Sequence, residues 1–427
     1  MNRIILIGNG FDLAHGLETG YKHFINKFWA NIYKELCYSK LVYENEFVSI
    51  KVISRLSDTN YCSEYHSFKE ILKQSKAQII FKNSFLEIIS ESLSLKNWVD
   101  IEEEYYQQMK DIVQGKSQYY KYDIRENPEA KMAIAKLNDD FKKIKQELEK
   151  YLLNIAQKTS KIEAIYNLFY DGFKLKDIVS SKENLLIEYI FEMLYSTEND
   201  KHYKELQNKI FKRTKELYGD VEKEYITDYL KNHYFNDNKD TLEKEEYVRP
   251  IYPCKTLVLN FNYTETVSKY LKNTHYLTPS FQTIHIHGKL NNGNNPIIFG
   301  YGDESADEYK EIEKLNDNEY FKNIKSIEYL KTDNYKRLLS FADSDYFQIY
   351  IFGHSCGNSD RTLLKTLFEH EKCVSIKPFF HEKIDENGKL IDDYEDITIN
   401  MSRNFNHKAI FRERVVNKSY CEPLPQK

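Results

Sequence analysis

Cysteines are few, six in 427 residues, and scattered at Cys37, Cys62, Cys254, Cys356, Cys373 and Cys421. No CxxC pair occurs, which argues against a zinc knuckle. Nothing in the spacing suggests a disulfide framework, so a reducing, cytoplasmic setting is expected. Long apolar runs are also missing. The opening stretch Ile4-Ile5-Leu6-Ile7 stops at Gly8, too short for a signal-peptide core. No segment approaches the roughly 20 apolar residues needed to span a bilayer, and no membrane partner is expected. An excess of positive charge is absent too. The net charge is −5, so no global footprint for nucleic acid exists. Glycine and proline are sparse, at 14 and 8, while 35 Tyr and 25 Phe provide bulk for helical cores.

The hydrophobic content of 41% is that of a globular chain large enough for one big domain or two ordinary ones. Three textures follow one another. Residues 1–30 begin with the short apolar run and the turn Gly8-Asn9-Gly10, which reads as a buried parallel strand entering a helix. A helix is expected from about Tyr21 to Leu36, with Phe24, Phe28 and Ile32 on one face. Residues 31–245 are charged and poor in glycine and proline. Apolar spacing of three and four over Phe141–Leu152, Leu186–Leu194 and Tyr203–Tyr218 predicts a large helical insertion, a bundle or cap over a sheet. Stretches 114–128 and 236–246 read as solvated loops. Residues 246–427 return to strand texture at Thr256–Leu259, Thr283–Ile286, Pro296–Phe299, Phe347–Phe352 and Cys373–Ile376, with Thr398–Met401 as a candidate last strand. Helical stretches fall between some of them, at Thr264–Leu271 and Asp360–His370. The expected fold is α/β: a Rossmann-like parallel sheet built from residues 1–30 and 246–427, interrupted by the 31–245 insertion.

Ligands of such sheets bind beyond the carboxyl ends of the strands, and those ends carry the polar clusters. Gly8-Asn9-Gly10 is placed to let the backbone approach a phosphate, with Asp12 just after it, either toward a ligand or as a helix cap. Asn260-Phe261-Asn262-Tyr263-Thr264 offers amides suited to ribose hydroxyls or a water, or to Asx capping. In His285-Ile286-His287-Gly288, alternation puts both histidines on one face, and His287 is the candidate general base. Phe299-Gly300-Tyr301-Gly302-Asp303-Glu304 brings two carboxylates, for a hydroxyl, a metal or solvent. Gly353-His354-Ser355-Cys356-Gly357 fits the GxSxG nucleophile turn literally, with His370, His381 and His407 downstream. The same loop, through Gly353, Ser355 and Asp360, is alternatively a second nucleotide-contacting loop, with Asp360 as a helix cap.

Taken together, Leu6 through Leu17 with Tyr21 and Phe24, Trp98-Val99-Asp100-Ile101-Glu102, and the four later clusters resemble the AbiH family of bacteriophage abortive-infection proteins. The resemblance implies a role in stopping phage propagation. A more distant resemblance is to the sirtuin-like NAD-binding fold of defence NADases. Its GAG-hydrophobic-Ser step is similar to Gly8-Asn9-Gly10-Phe11-Asp12, with Asp12 in place of serine. Its Asn-Tyr-Asp step looks like Asn262-Tyr263-Thr264, with threonine in place of the acid. Its catalytic His-Gly looks like His287-Gly288. What this implies is hydrolysis of the nicotinamide glycosidic bond, with NAD as substrate, no metal and no further cofactor. His287 and Asn262 would be catalytic. Gly8, Asn9, Gly10, Asp12, Gly353, Ser355 and Asp360 would bind the nucleotide. The alternatives are a metal-dependent nuclease or phosphoesterase using Asp12, His287, Asp303 and Asp360, and a non-catalytic nucleotide sensor. A phage-encoded trigger and self-association are further expected partners. Trp98 and Glu102, four apart, are expected to face the site together; Asp100 and Glu102 on one helix would diverge by about 200° and could not.

Overall fold

A computed structural model of the chain describes residues 1–427 apart from 39–40, 54–55, 57–61, 63, 97–98, 122–126, 156–158, 196–200, 236–250, 272–279 and 305–306. Five strands form one parallel sheet: β1 (Asn2–Ile7), β2 (Lys255–Asn260), β3 (Ser280–His285), β4 (Phe347–Phe352) and β5 (Cys373–Phe379), in the order β3-β2-β1-β4-β5. This is the expected Rossmann-like α/β sheet. Strands β1 and β4 are buried at every position, including the polar Asn2, Arg3 and Gln348 beside their apolar residues.

Alternation along the strands divides the core between the two faces. Ile4, Leu6, Leu257, Leu259, Ile349 and Ile351 point to one side. Leu338, Leu364, Leu367 and Met401 cover them from the helices Asn334–Ser344, Arg361–Phe368 and Tyr394–Arg403. Ile5, Ile7, Val258 and Phe352 point to the other side, against Phe11, Ile165, Phe169 and Tyr270. A separate core joins the helix Tyr21–Tyr38 to the helices Ser84–Lys96, Ile101–Val113 and Asn127–Ile155.

Four local expectations are corrected. The 31–245 stretch is not purely helical: Val42–Glu44, Val48–Lys51 and Gln78–Phe81 form an antiparallel sheet. Pro296–Phe299 lies in no strand. The amide of Ile298 donates to the carbonyl of His287, but no ladder develops. Thr398–Met401 lies inside the helix Tyr394–Arg403. Acidic Glu395 and Asp396 occupy its first turn, and Ile397 and Met401, four apart, are buried together. Thr264–Leu271 is helical over Thr266–Tyr270, but as a 3-10 rather than an α-helix. The 236–246 loop lies outside the described residues, as does part of 114–128.

Candidate functional site

The sheet register places the site. Ile7 pairs with Asn260 on one side and Phe352 on the other, and Asn260 pairs with His285. Three strands therefore end in the same row as β1, and their polar loops leave from one edge. The strand order reverses beside β1, so the loops after β1 and β4 flank the point where such sheets bind ligands.

A cavity of about 650 Å³ lies at this edge. Gly8, Asn9, Gly10, Asp12, Asn262, His287, Gly353, Ser355 and Asp360 all line it. Nine residues singled out in the sequence, spread over 353 positions, thus share one space.

The glycines act differently from the expectation. The Gly8 amide donates to the Phe352 carbonyl at 3.1 Å and the Gly10 amide to the Gly353 carbonyl at 2.8 Å. A Cβ on Gly8 would stand 2.4 Å from His354 Cα, and one on Gly10 2.8 Å from Gly353 Cα. Gly353 itself has φ +66 and would press a Cβ to 2.2 Å from the Phe11 nitrogen. The glycines let two chain segments interlock, and their N–H groups are already used. They are not a bare phosphate cradle.

Asp12 lies within the short helix Asn9–Ala14, and its side chain does not cap it. It is buried, and its Oδ2 accepts the Thr264 hydroxyl at 2.6 Å. Its Oδ1 has no hydrogen-bond partner among the described residues. Burial pushes its carboxyl up to about 6, tempered by the hydroxyls of Thr264 and Thr266 and the amide of Asn262. The loops after β1 and β2 are therefore in direct side-chain contact through Asp12 and Thr264. Asn260 Oδ1 accepts the Asn262 amide N–H at 3.0 Å, an Asx turn, and the Asn262 side-chain amide donates to the Gly8 carbonyl at 2.9 Å. Asn262 thus ties the β2 loop to the β1 loop.

The other wall is an ionic cluster. His287 lies in the turn two residues beyond β3, not within the strand. Its Nε2 is 3.0 Å from Asp360 Oδ1 and 3.2 Å from the Tyr329 hydroxyl. Lys325, completely buried, places its Nζ 2.8 Å from Asp360 Oδ1 and 3.1 Å from Glu102 Oε2. His354 Nδ1 accepts the Cys356 amide, which leaves Nε2 to carry hydrogen toward Asp360 Oδ2 at 3.5 Å. Glu102 Oε1 accepts the Gly300 amide at 2.9 Å. Asp360 stands at the cap position of the helix Arg361–Phe368, yet its side chain makes no capping bond and turns into this cluster.

The charges follow from these contacts. Burial alone would raise the Asp360 carboxyl, but Lys325, then His287 and His354, override it and hold it well below the usual carboxylate range. Burial, then Lys325, depresses His287 to about 4, although Asp360 opposes the shift. At neutral pH His287 is an uncharged imidazole donating Nε2–H to an ionised Asp360, which leaves Nδ1 as the acceptor. Burial raises Glu102 to about 7 against the pull of Lys325. His285 is a separate matter: it meets the Asn260 amide at 3.2 Å, and burial lowers it to about 4.

Asp303 does not join the site. It is paired with Arg361 at 3.0 Å and does not line the cavity, and Glu304 does not line it either. The four-residue metal set Asp12, His287, Asp303 and Asp360 is therefore not assembled. Among the described residues, no group of three or more His, Cys, Asp or Glu side chains is placed to hold a metal. The GxSxG reading also fails in geometry. Positive φ falls on Gly353 and Cys356, not on Ser355, and His354 is engaged with Asp360. His370 is turned to Asp343. Asp100 and Glu102 both line the cavity, contrary to the helical-angle argument, because Asp100 is the N-cap, accepting the Glu102 and Glu103 amides, while the helix starts at Ile101. Glu102 faces the cavity as expected; Trp98 lies outside the described residues. Lys325, the hub of the ionic cluster, belongs to none of the sequence motifs.

An all-parallel α/β sheet whose polar loops converge on one cavity beside the reversal in strand order defines a Rossmann-like protein. The chain matches a family model described as bacteriophage abortive infection AbiH over residues 57–381, well over half its length. It belongs to the AbiH family, and its biological setting is defence against bacteriophage by abortive infection. No curated protein and no solved structure matches it. Among the described residues, no helix is long and apolar enough to cross a membrane.

Proposed function

We propose that the chain hydrolyses the nicotinamide N-glycosidic bond of NAD. Water adds to C1 of the nicotinamide ribose and the C–N bond breaks, its electron pair leaving on nicotinamide. The products are ADP-ribose, nicotinamide and one proton. The observation that carries this reading is the held imidazole at the cavity wall: His287 Nε2 lies 3.0 Å from Asp360 Oδ1, and burial, which lowers the ring to about 4, leaves the Nδ1 lone pair free to act as a base.

The residues divide the work. His287 Nδ1 takes the proton of the water or of a ribose hydroxyl, and the ionised Asp360 stabilises the imidazolium that forms. Asn262 and the neighbouring Asp12 supply an amide and a carboxyl to ribose hydroxyls. The reaction develops positive charge on the sugar, which ionised carboxylates around the cavity stabilise. A volume of about 650 Å³ is within the range of small-molecule sites. The diphosphate passes along the loop of Gly8, Asn9 and Gly10 without the Gly8 and Gly10 amides, which are occupied. Incubation of the purified chain with NAD, followed by chromatographic measurement of nicotinamide and ADP-ribose with and without EDTA, tests the reading. Equal amounts of both products, unaffected by EDTA, are expected. Persistence of NAD together with EDTA-sensitive cleavage of RNA or DNA would favour a nuclease.

A further inference from the structure

The cluster behind His287 contains a side chain that no motif identified. Lys325 begins the short helix Lys325–Glu328, and its amide donates to the Tyr301 carbonyl at 2.9 Å. Its side chain has no solvent exposure and runs between two elements. Glu102 arrives from the first turn of the helix Ile101–Val113, and Asp360 arrives from the loop after β4. A buried ammonium is tolerated only where opposite charges surround it. Here it meets two carboxylates, and one of them is the carboxylate that holds His287.

We propose that Lys325 is the positioning residue of the site: it serves as the permanent counter-ion of Asp360, so that His287 does not have to. The inference rests on the reading of His287 as a base. The argument is one of charge balance. His287 faces Asp360, Lys325, His354 and Tyr329, with Glu102 and Asp100 beyond them. The Asp360 anion attracts a proton to whichever neighbour can accept one. With Lys325 in place that demand is met, and the imidazole stays neutral with its lone pair available. Without Lys325, the buried Asp360 anion lacks its cation, and His287, 3.0 Å away, is the nearest group able to become one. An imidazolium at neutral pH has no lone pair to offer. Glu102 adds a second consequence. Because it binds Lys325 through one oxygen and the Gly300 amide through the other, the helix Ile101–Val113 gives the ammonium a second anchor besides Asp360.

The test reads His287 directly. Full-length protein with 15N-labelled histidine is titrated by NMR without substrate, and the His287 signal is assigned by its absence in His287→Asn. In the wild type the imidazole is expected to remain the neutral Nε2–H tautomer down to at least pH 5.5. In Lys325→Met its midpoint is expected to rise by roughly 1–3 pH units, and the acid limb of any NAD-cleavage profile to move with it. An unmoved midpoint in folded Lys325→Met overturns the proposal. If that variant does not fold, Glu102→Gln decides. It removes an anion from the cluster and leaves the ammonium wholly to Asp360, so the midpoint should fall, and an unmoved or raised midpoint contradicts the account. Because the titration needs no substrate, a shifted midpoint in a protein that never cleaves NAD would uphold the role of Lys325 and reject the glycohydrolase alone.

Discussion

Thr264 donates its hydroxyl hydrogen to Asp12 Oδ2 across 2.6 Å, while Oδ1 of the same buried carboxyl has no hydrogen-bond partner among the described residues. Such a group costs stability whenever it is ionised. Its carboxyl lies at about 6 against an ordinary value of 3.8, so the folded state holds the proton more tightly than the unfolded chain. Stability is therefore lost as pH rises from about 4 to 6, and the loss persists above that window.

Asp12→Asn should remove this penalty. We expect the variant to be more stable than wild type at pH 8, by about 1–3 kcal/mol, with the difference disappearing at pH 4. Its NAD cleavage should fall by an order of magnitude or more, since Asp12 lines the cavity and is one of the groups assigned to the ribose. Denaturant unfolding at both pH values checks the first half. A variant destabilised equally at pH 4 and pH 8 would show that Asp12 is a structural acid.

The interlock of the β1 and β4 loops predicts a graded series. Gly353→Ala combines a positive φ with a Cβ 2.2 Å from backbone, so it should be the most damaging. Gly10→Ala, with its nearest atom at 2.8 Å, should cost about 1–3 kcal/mol as overpacking. Gly16→Ala, at φ +74 with nothing within 4 Å, should cost only the backbone term, about 1–2 kcal/mol. Thermal unfolding of the three orders them, and a Gly16→Ala loss as large as that of Gly353→Ala would refute the interlock.

How much of this was legible differs by element. The strands β1 and β4 were readable because both are rich in β-branched and aromatic residues and end at a glycine, and the site loops follow from that. The conformation of Asp100 was not, because its capping bonds reset the angle that helical spacing would give. The antiparallel sheet escaped notice because its strands are three or four residues long and largely half-exposed. Lys325 had no signal beyond a charged residue beside Ile324. Its meaning comes from Glu102 and Asp360, 223 and 35 positions away.

The two acidic residues of the late loops should separate. Asp303 is bound to Arg361 outside the cavity, so Asp303→Asn should leave NAD cleavage near wild type. Asp360→Asn strips Lys325 and His287 of their shared carboxylate and should abolish cleavage. It should also cost about 3–5 kcal/mol, the scale for breaking a buried ion pair. Because the folded carboxyl is depressed, the stability that Asp360 contributes is present above the ordinary value of 3.8 and is lost as pH falls below it. The stability gap between Asp360→Asn and wild type should therefore narrow at acid pH. Loss of activity in Asp303→Asn would return the metal-dependent reading to the front.

His287 carries the central claim, and its substitution is the most direct measurement. Purified wild-type protein and His287→Ala are incubated with NAD at pH 7.5, and released nicotinamide is followed over time. The account predicts stoichiometric nicotinamide and ADP-ribose from wild type and a loss of about 10²–10⁴-fold in His287→Ala, the usual contribution of a general base, with unfolding curves showing both proteins folded. Wild-type release with an undiminished rate in folded His287→Ala, or no release from wild type at all, would contradict it.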